Sequence, residues 1–229
     1  MGGAGVGGVR YTATDFYTAS EEWGFNCGPG ALCAVLNLTP NELRPHLLDF
    51  ESKGYTNPTL MYGVLDGLGV KWSQCYRGDV HPAPEHTPWP RFGLVRVQWG
   101  GPWTKPGVPM RARYRQTHWV ASRGEPSRRE IFDVNGVKEG WLPFRIWAEH
   151  LMPWLAEDCV PKWDGRFWPT HGIEVSLAGR AAAAGEWGQD ARHNLEAPAA
   201  NGPGSAVEGP CAPRSAAAGG LPPARERSH

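Results

Sequence analysis

The first third of this chain is punctuated for helices and the strand patterning comes after it, so any sheet has to be built from the later residues. Asn26 to Asn37 reads Asn-Cys-Gly-Pro-Gly-Ala-Leu-Cys-Ala-Val-Leu-Asn. Leu32, Val35 and Leu36 recur at helical spacing and form one apolar face, and Pro29 suits a first turn, where its missing N–H is no loss. Thr39-Pro40-Asn41-Glu42 is a capping box with proline at the first helical position. It predicts a second helix running towards Gly54, with Leu43, Leu47 and Phe50 facing inward and Pro45 kinking or shortening it. Asn57-Pro58 repeats the start signal for a third helix bearing Leu60, Met61, Val64, Leu65 and Leu68, which Gly69 closes. Tyr11 to Gly24, which carries Glu21 and Glu22, leads into the cysteine without a legible element.

Strand patterning begins at Val70 to Tyr76. Arg77 to Pro90 is dense in His and Pro and reads as a surface loop, whose His81 and His86 lack thiol or carboxylate partners at ligand spacing. Phe92 to Trp99 is strand-like, Gly100 to Val108 is a loop holding Trp103, and Arg111 to Ser122 and Arg129 to Val134 read as strands joined by the turn Gly124-Glu125-Pro126-Ser127. Trp141 to Ala156 has helical spacing interrupted by Pro153, and a last strand is predicted at Gly172 to Leu177. Beyond it Ala, Gly, Pro and Ser dominate, which cannot offset the entropy of ordering, so 178–229 reads as a disordered tail. The Gly-rich residues 1–10 read as a flexible arm. Gly3-x-Gly5-x-x-Gly8 matches a dinucleotide fingerprint in form only, with no strand before it and no amphipathic helix after it. One domain over 11–177 is expected.

Formal net charge is zero, so no field gathers nucleic acid or an anionic membrane surface. No apolar run approaches a membrane span and no signal h-region stands at the start, which together lead to the expectation of a soluble, cytoplasmic protein. Five irregularly spaced cysteines without a C-x-x-C pair form neither a disulfide framework nor a zinc site, so no metal and no cofactor are expected.

Cys27 stands where its helix begins, against unpaired N–H groups and the positive end of the dipole, both of which favour thiolate over thiol. The ordinary alternative is a small buried residue. If the strands around Gly124 to Ser127 pair as a hairpin centred between Glu125 and Pro126, His118 lies opposite Asp133 on one face. A carboxylate there fixes the imidazole tautomer and leaves the other ring nitrogen for a nucleophile.

Asn26-Cys27-Gly28-Pro29, Thr117-His118-Trp119-Val120 and Ile131-Phe132-Asp133-Val134-Asn135-Gly136 together resemble the papain-like cysteine peptidase superfamily, in its bacterial C39-like branch, over roughly residues 15 to 177. The resemblance implies an α+β fold with N-terminal helices packed on an antiparallel sheet. It implies Cys27 as nucleophile, His118 as base then acid, and Asp133 as the orienting residue. That superfamily places a glutamine six residues before the cysteine to complete the oxyanion hole, whereas this chain has Glu21 there, whose ionised carboxylate would repel the oxyanion. Asn26 and Gln116 are alternative donors, and Asn135 is a further candidate for the oxyanion site or for orienting its neighbours.

The function this points to is a cysteine hydrolase, peptidase or amidase, cleaving a peptide or amide bond of a peptide or protein substrate through a thioester. The twelve Trp residues leave room for a cell-wall amidase with sugar-stacking surfaces, or for a non-catalytic papain-like structural or assembly module. Substrate choice and oligomeric state have no readable code in the sequence.

Overall fold

The computed structural model describes residues 9–78, 88–136, 138 and 140–176. The glycine arm up to residue 8, His81, His86 and the predicted tail lie outside the described residues.

The helices come first. α1 (Ala13–Trp23) fills the stretch whose sequence gave no element, and its signal is a capping box: Thr12 Oγ1 accepts from the Asp15 N–H, and the Asp15 carboxylate accepts from the Thr12 N–H. Gly24, at φ +77°, ends it. α2 (Cys27–Leu36) is buried along all ten residues, and Asn37 in the left-handed region closes it. The predicted helix from Thr39 is broken into α3 (Pro40–Leu43), a 3₁₀ turn (Arg44–His46) and α4 (Phe50–Lys53). Pro45 sits inside the 3₁₀ turn, where its ring denies the α-helical bond, and the capping box survives at the start. α5 (Pro58–Gly67) is capped by Asn57 as expected, with Gly69 at φ +63° just past its end.

Six strands form one antiparallel sheet in the order β1 (Lys71–Arg77), β6 (Phe167–Ser176), β2 (Phe92–Trp99), β3 (Thr117–Arg123), β4 (Glu130–Phe132), β5 (Trp141–Pro143). The architecture is therefore α+β. Arg111 to Ser122 is not one strand: α6 (Met110–Arg113) occupies its start and β3 begins only at Thr117. β6 is longer than Gly172 to Leu177, and β5 takes the first residues of a stretch expected to be wholly helical. From Phe144 that stretch is helical throughout, as α7 (Phe144–Ile146), a π turn (Trp147–Leu151) and α8 (Met152–Cys159). Pro153 is tolerated because it falls in the first turn of α8, directly after the π turn that displaces the regular bond pattern.

The two faces of the sheet carry two cores. Leu94, Trp119, Ala121, Phe132, Ile173 and Val175 pack with α1 to α5. Val95, Val97, Trp99, Val120, Ile131 and Leu142 pack on the other face with Trp147, Leu151, Met152 and Leu155. The period-2 alternation of β2 and β3 splits their side chains between these layers, so both strands are buried along their length except at Phe92 and Arg123, which are half-buried. Five tryptophans, Trp23, Trp99, Trp119, Trp147 and Trp168, are buried, and none of the described tryptophans is among the exposed large apolar residues, which are Leu48 and Tyr55. The other described tryptophans are half-buried and pack against the two cores.

Candidate active site

Glycine decides how α2 sits. A Cβ at Gly28 would overlap the Thr56 side chain, and one at Gly30 would stand 2.8 Å from Val134 Cγ2. The first helical turn therefore approaches Thr56 on one side and the turn after Asp133 on the other more closely than any other residue permits. Thr56 is fixed in turn, because its carbonyl accepts from Trp119 Nε1 at 3.2 Å. Asn26 is the N-cap, with Oδ1 accepting from the Gly28 N–H at 3.3 Å.

The hairpin register differs from the expected one. Ala121 pairs with Phe132, Ser122 with Ile131 and Arg123 with Glu130, a slip of two residues relative to a turn centred between Glu125 and Pro126. The cause is the turn itself, which runs from Gly124 to Arg129 around a 3₁₀ turn at Pro126–Arg128. A slip of two keeps every residue on its face, whereas a slip of one would have reversed them. Asp133 lies just past β4 rather than directly opposite His118, and the two side chains still meet: His118 Nε2 and Asp133 Oδ2 are 2.8 Å apart.

Asp133 is buried among donors. Oδ2 also accepts from Trp147 Nε1 at 2.9 Å, and Oδ1 accepts from both the backbone N–H and Nδ2 of Asn135 at 3.0 Å each. Burial alone would raise its carboxyl, but the His118 charge and these hydrogen bonds hold it below the usual carboxylate value. For His118 burial works in the opposite sense, favouring the neutral ring. The Asp133 carboxylate, the Cys27 sulfur and hydrogen bonds to both overcome it and lift the imidazole from 6.5 to about 10. With Nε2 on Asp133, the ring nitrogen left for Cys27 is Nδ1. Trp99 covers the ring, with centroids 5.4 Å apart.

Cys27, His118 and Asp133 are thus gathered in one place, and Asn135 serves to orient Asp133. Asn26 and Gln116 are half-buried, Asn26 directly before Cys27 and Gln116 two residues before His118. Glu21 is exposed on the last turn of α1 and is not among the groups acting on His118. Cys33, two turns along α2, is buried in the core, which pushes its thiol well above its ordinary value. Two participants had no local signal: Trp147 belongs to a helical apolar stripe, and Trp99 reads as an ordinary strand residue. Among the described residues no three His, Cys, Asp or Glu side chains gather as metal ligands would, and no helix is long and apolar enough to cross a membrane. Compared with protein-family models, with curated proteins and with solved structures, the chain matches none.

Proposed function

We propose that this chain is a papain-like cysteine hydrolase that cleaves a peptide or amide bond. The observation that carries the reading is His118, bonded at Nε2 to a buried carboxylate and hydrogen-bonded to Cys27, whose helix begins at the sulfur. Three groups in that relation perform acyl transfer. The Cys27 sulfur attacks the carbonyl carbon, the proton it gives up resides on His118, and His118 delivers it to the leaving amine as the C–N bond breaks. Water then attacks the thioester with His118 taking its proton, and the sulfur leaves. Asp133 holds the ring and stabilises its charged form throughout.

The test is selective chemistry. Limiting iodoacetamide, followed by peptide mapping, is expected to label Cys27 ahead of Cys33 and Cys75, and hydrolysis of a generic ester or peptide is expected to disappear in step with that label. Preferential labelling of Cys33 would remove the nucleophile. Fast labelling of Cys27 with no hydrolysis of any substrate would leave a non-catalytic papain-like module as the better account.

The oxyanion hole in this reading is the Cys27 N–H at the helix start together with the Asn26 amide. Asn26 Oδ1 is turned to the Gly28 N–H, which leaves Nδ2 as the donor, while Glu21 is exposed to water. Asn26→Asp keeps the cap acceptor and removes the donor. It is expected to lower turnover about a hundredfold or more with little change in melting temperature, and Glu21→Gln is expected to change turnover much less. A large gain from Glu21→Gln with Asn26→Asp neutral would put residue 21 in the hole instead.

A further inference from the structure

On the α2 face of the sheet, beside the cysteine, β2 places Arg96. It is 9% exposed, and its neighbours across the strands are Trp119 of β3 and His171 of β6. Nη2 donates to Thr117 Oγ1 at 3.2 Å, and Thr117 is the residue before the base His118. Cζ lies 5.1 Å from the centroid of the Tyr114 ring. Nε is buried with no hydrogen-bond partner among the described residues.

A buried guanidinium ordinarily sits against a carboxylate, because its desolvation is otherwise uncompensated. Among the described residues none acts on Arg96: the groups that favour its charge are Tyr114, Cys27 and Tyr62. His171 is no counter-charge, an imidazole being neutral or cationic, and burial with the charges of Arg96 and Arg77 pushes it down to about 4, so it adds no further cation. Arg77, paired with His171 from β1, adds a second cation on the same face. The described groups therefore leave this buried guanidinium without a carboxylate partner and with one of its donors unpaired.

We propose that Arg96 binds a carboxylate of the substrate next to the scissile bond, so that this site takes acidic peptides or amides whose negative charge adjoins the carbonyl attacked by Cys27. The planar fork of an arginine matches a carboxylate in shape as well as charge, and its hydrogen bond to Thr117 and the Tyr114 ring fix its orientation before the substrate arrives. This rests on Cys27 being the nucleophile.

Two alkylating agents that differ by one charge test it on the full chain. Iodoacetate carries a carboxylate one carbon from the atom attacked, and iodoacetamide carries a neutral amide in the same place. Labelling of wild-type Cys27 by iodoacetate is expected to saturate with reagent concentration, while labelling by iodoacetamide stays linear. Arg96→Gln is expected to lower the iodoacetate rate at least about tenfold more than the iodoacetamide rate, and Arg96→Lys, which keeps the charge without the fork, to fall between. Protection against iodoacetamide by N-acetylglycine or by N-acetylglutamate α-amide, with N-acetylglycinamide as the neutral control, tells a terminal carboxylate from a side-chain one. Linear iodoacetate kinetics in wild type, or a rate ratio that Arg96→Gln leaves unchanged, overturns the proposal while leaving the hydrolase reading standing. Failure of both reagents to label Cys27 ahead of Cys33 and Cys75 removes the nucleophile, and this proposal with it.

Discussion

Asp133→Asn is expected to lower hydrolysis by about four orders of magnitude and the melting temperature by roughly 6–20 °C. Four donors converge on this carboxylate, two on each oxygen. An amide has one acceptor and one donor end, so whichever way it is turned, two of the four meet an N–H instead of an oxygen. The imidazolium also loses its counter-charge in a buried place, and breaking a buried pair by removing one partner costs about 3–5 kcal/mol. For a domain of this size each kcal/mol shifts the midpoint by about 2–4 °C.

The effect has a pH signature of definite sign. His118 is raised from 6.5 to about 10, so its contribution is complete below about pH 6.5 and fades as pH rises towards 10. Asp133 is lowered from 3.8, so its contribution is present above about pH 4 and fades as pH falls. The gap between wild type and variant should be widest between about pH 4 and 6.5 and should close on either side. Thermal melts of both proteins across that range measure it directly. A gap that widens above pH 8 would mean that the folded protein holds His118 neutral and that the ion pair is absent.

Gly93→Ala is expected to destabilise the fold by about 3 kcal/mol, roughly 6–12 °C, with none of Cys27, His118 and Asp133 altered. Gly93 lies in β2 between Ser122 of β3 and Glu174 of β6, in the middle of the sheet. A Cβ there would fall on the Ile173 carbonyl oxygen, with the carbonyl carbon 3.0 Å away and Glu174 Cα 3.2 Å away. These are backbone atoms held by the ladder, and they cannot swing aside as a side chain would. The need for glycine is therefore one of space and not of backbone conformation. A melting temperature within 2 °C of wild type would show that β2 and β6 are further apart than described.

What the sequence disclosed was local. Asn57-Pro58 and Thr39 to Glu42 announced their caps, and the Phe92 to Trp99 pattern matches β2 at both ends. The pairing of His118 with Asp133 was legible because facing depends only on parity, which a two-residue slip preserves. The slip itself was not legible: a 3₁₀ turn at Pro126–Arg128 lengthens the connection without any residue that demands it. α1 had a signal in Thr12 and Asp15, and the shorter aspartate in place of the more familiar Glu or Gln at that position hid it. Trp147 and Arg96 lie beyond local reading altogether. Their roles exist only once the π turn and the strand order bring an indole to Asp133 and a guanidinium beside Thr117. Sequence spacing holds no record of either approach.

The position of β6 has a consequence for how the protein is made. The last strand of the sheet lies between β1 and β2, the first two, and completes both ladders. A nascent chain that has emerged only as far as β5 holds the cysteine, the histidine and the aspartate, yet β2 presents an open row of N–H and C=O groups and β1 has no strand beside it. Until residues 167–176 leave the ribosome, that gap is a template for any extended segment, including the same strand of a neighbouring nascent chain on the same message. Assembly of the face that gathers Cys27, His118 and Asp133 thus waits on translation of nearly the whole domain, and the interval before it is when a holding chaperone matters most.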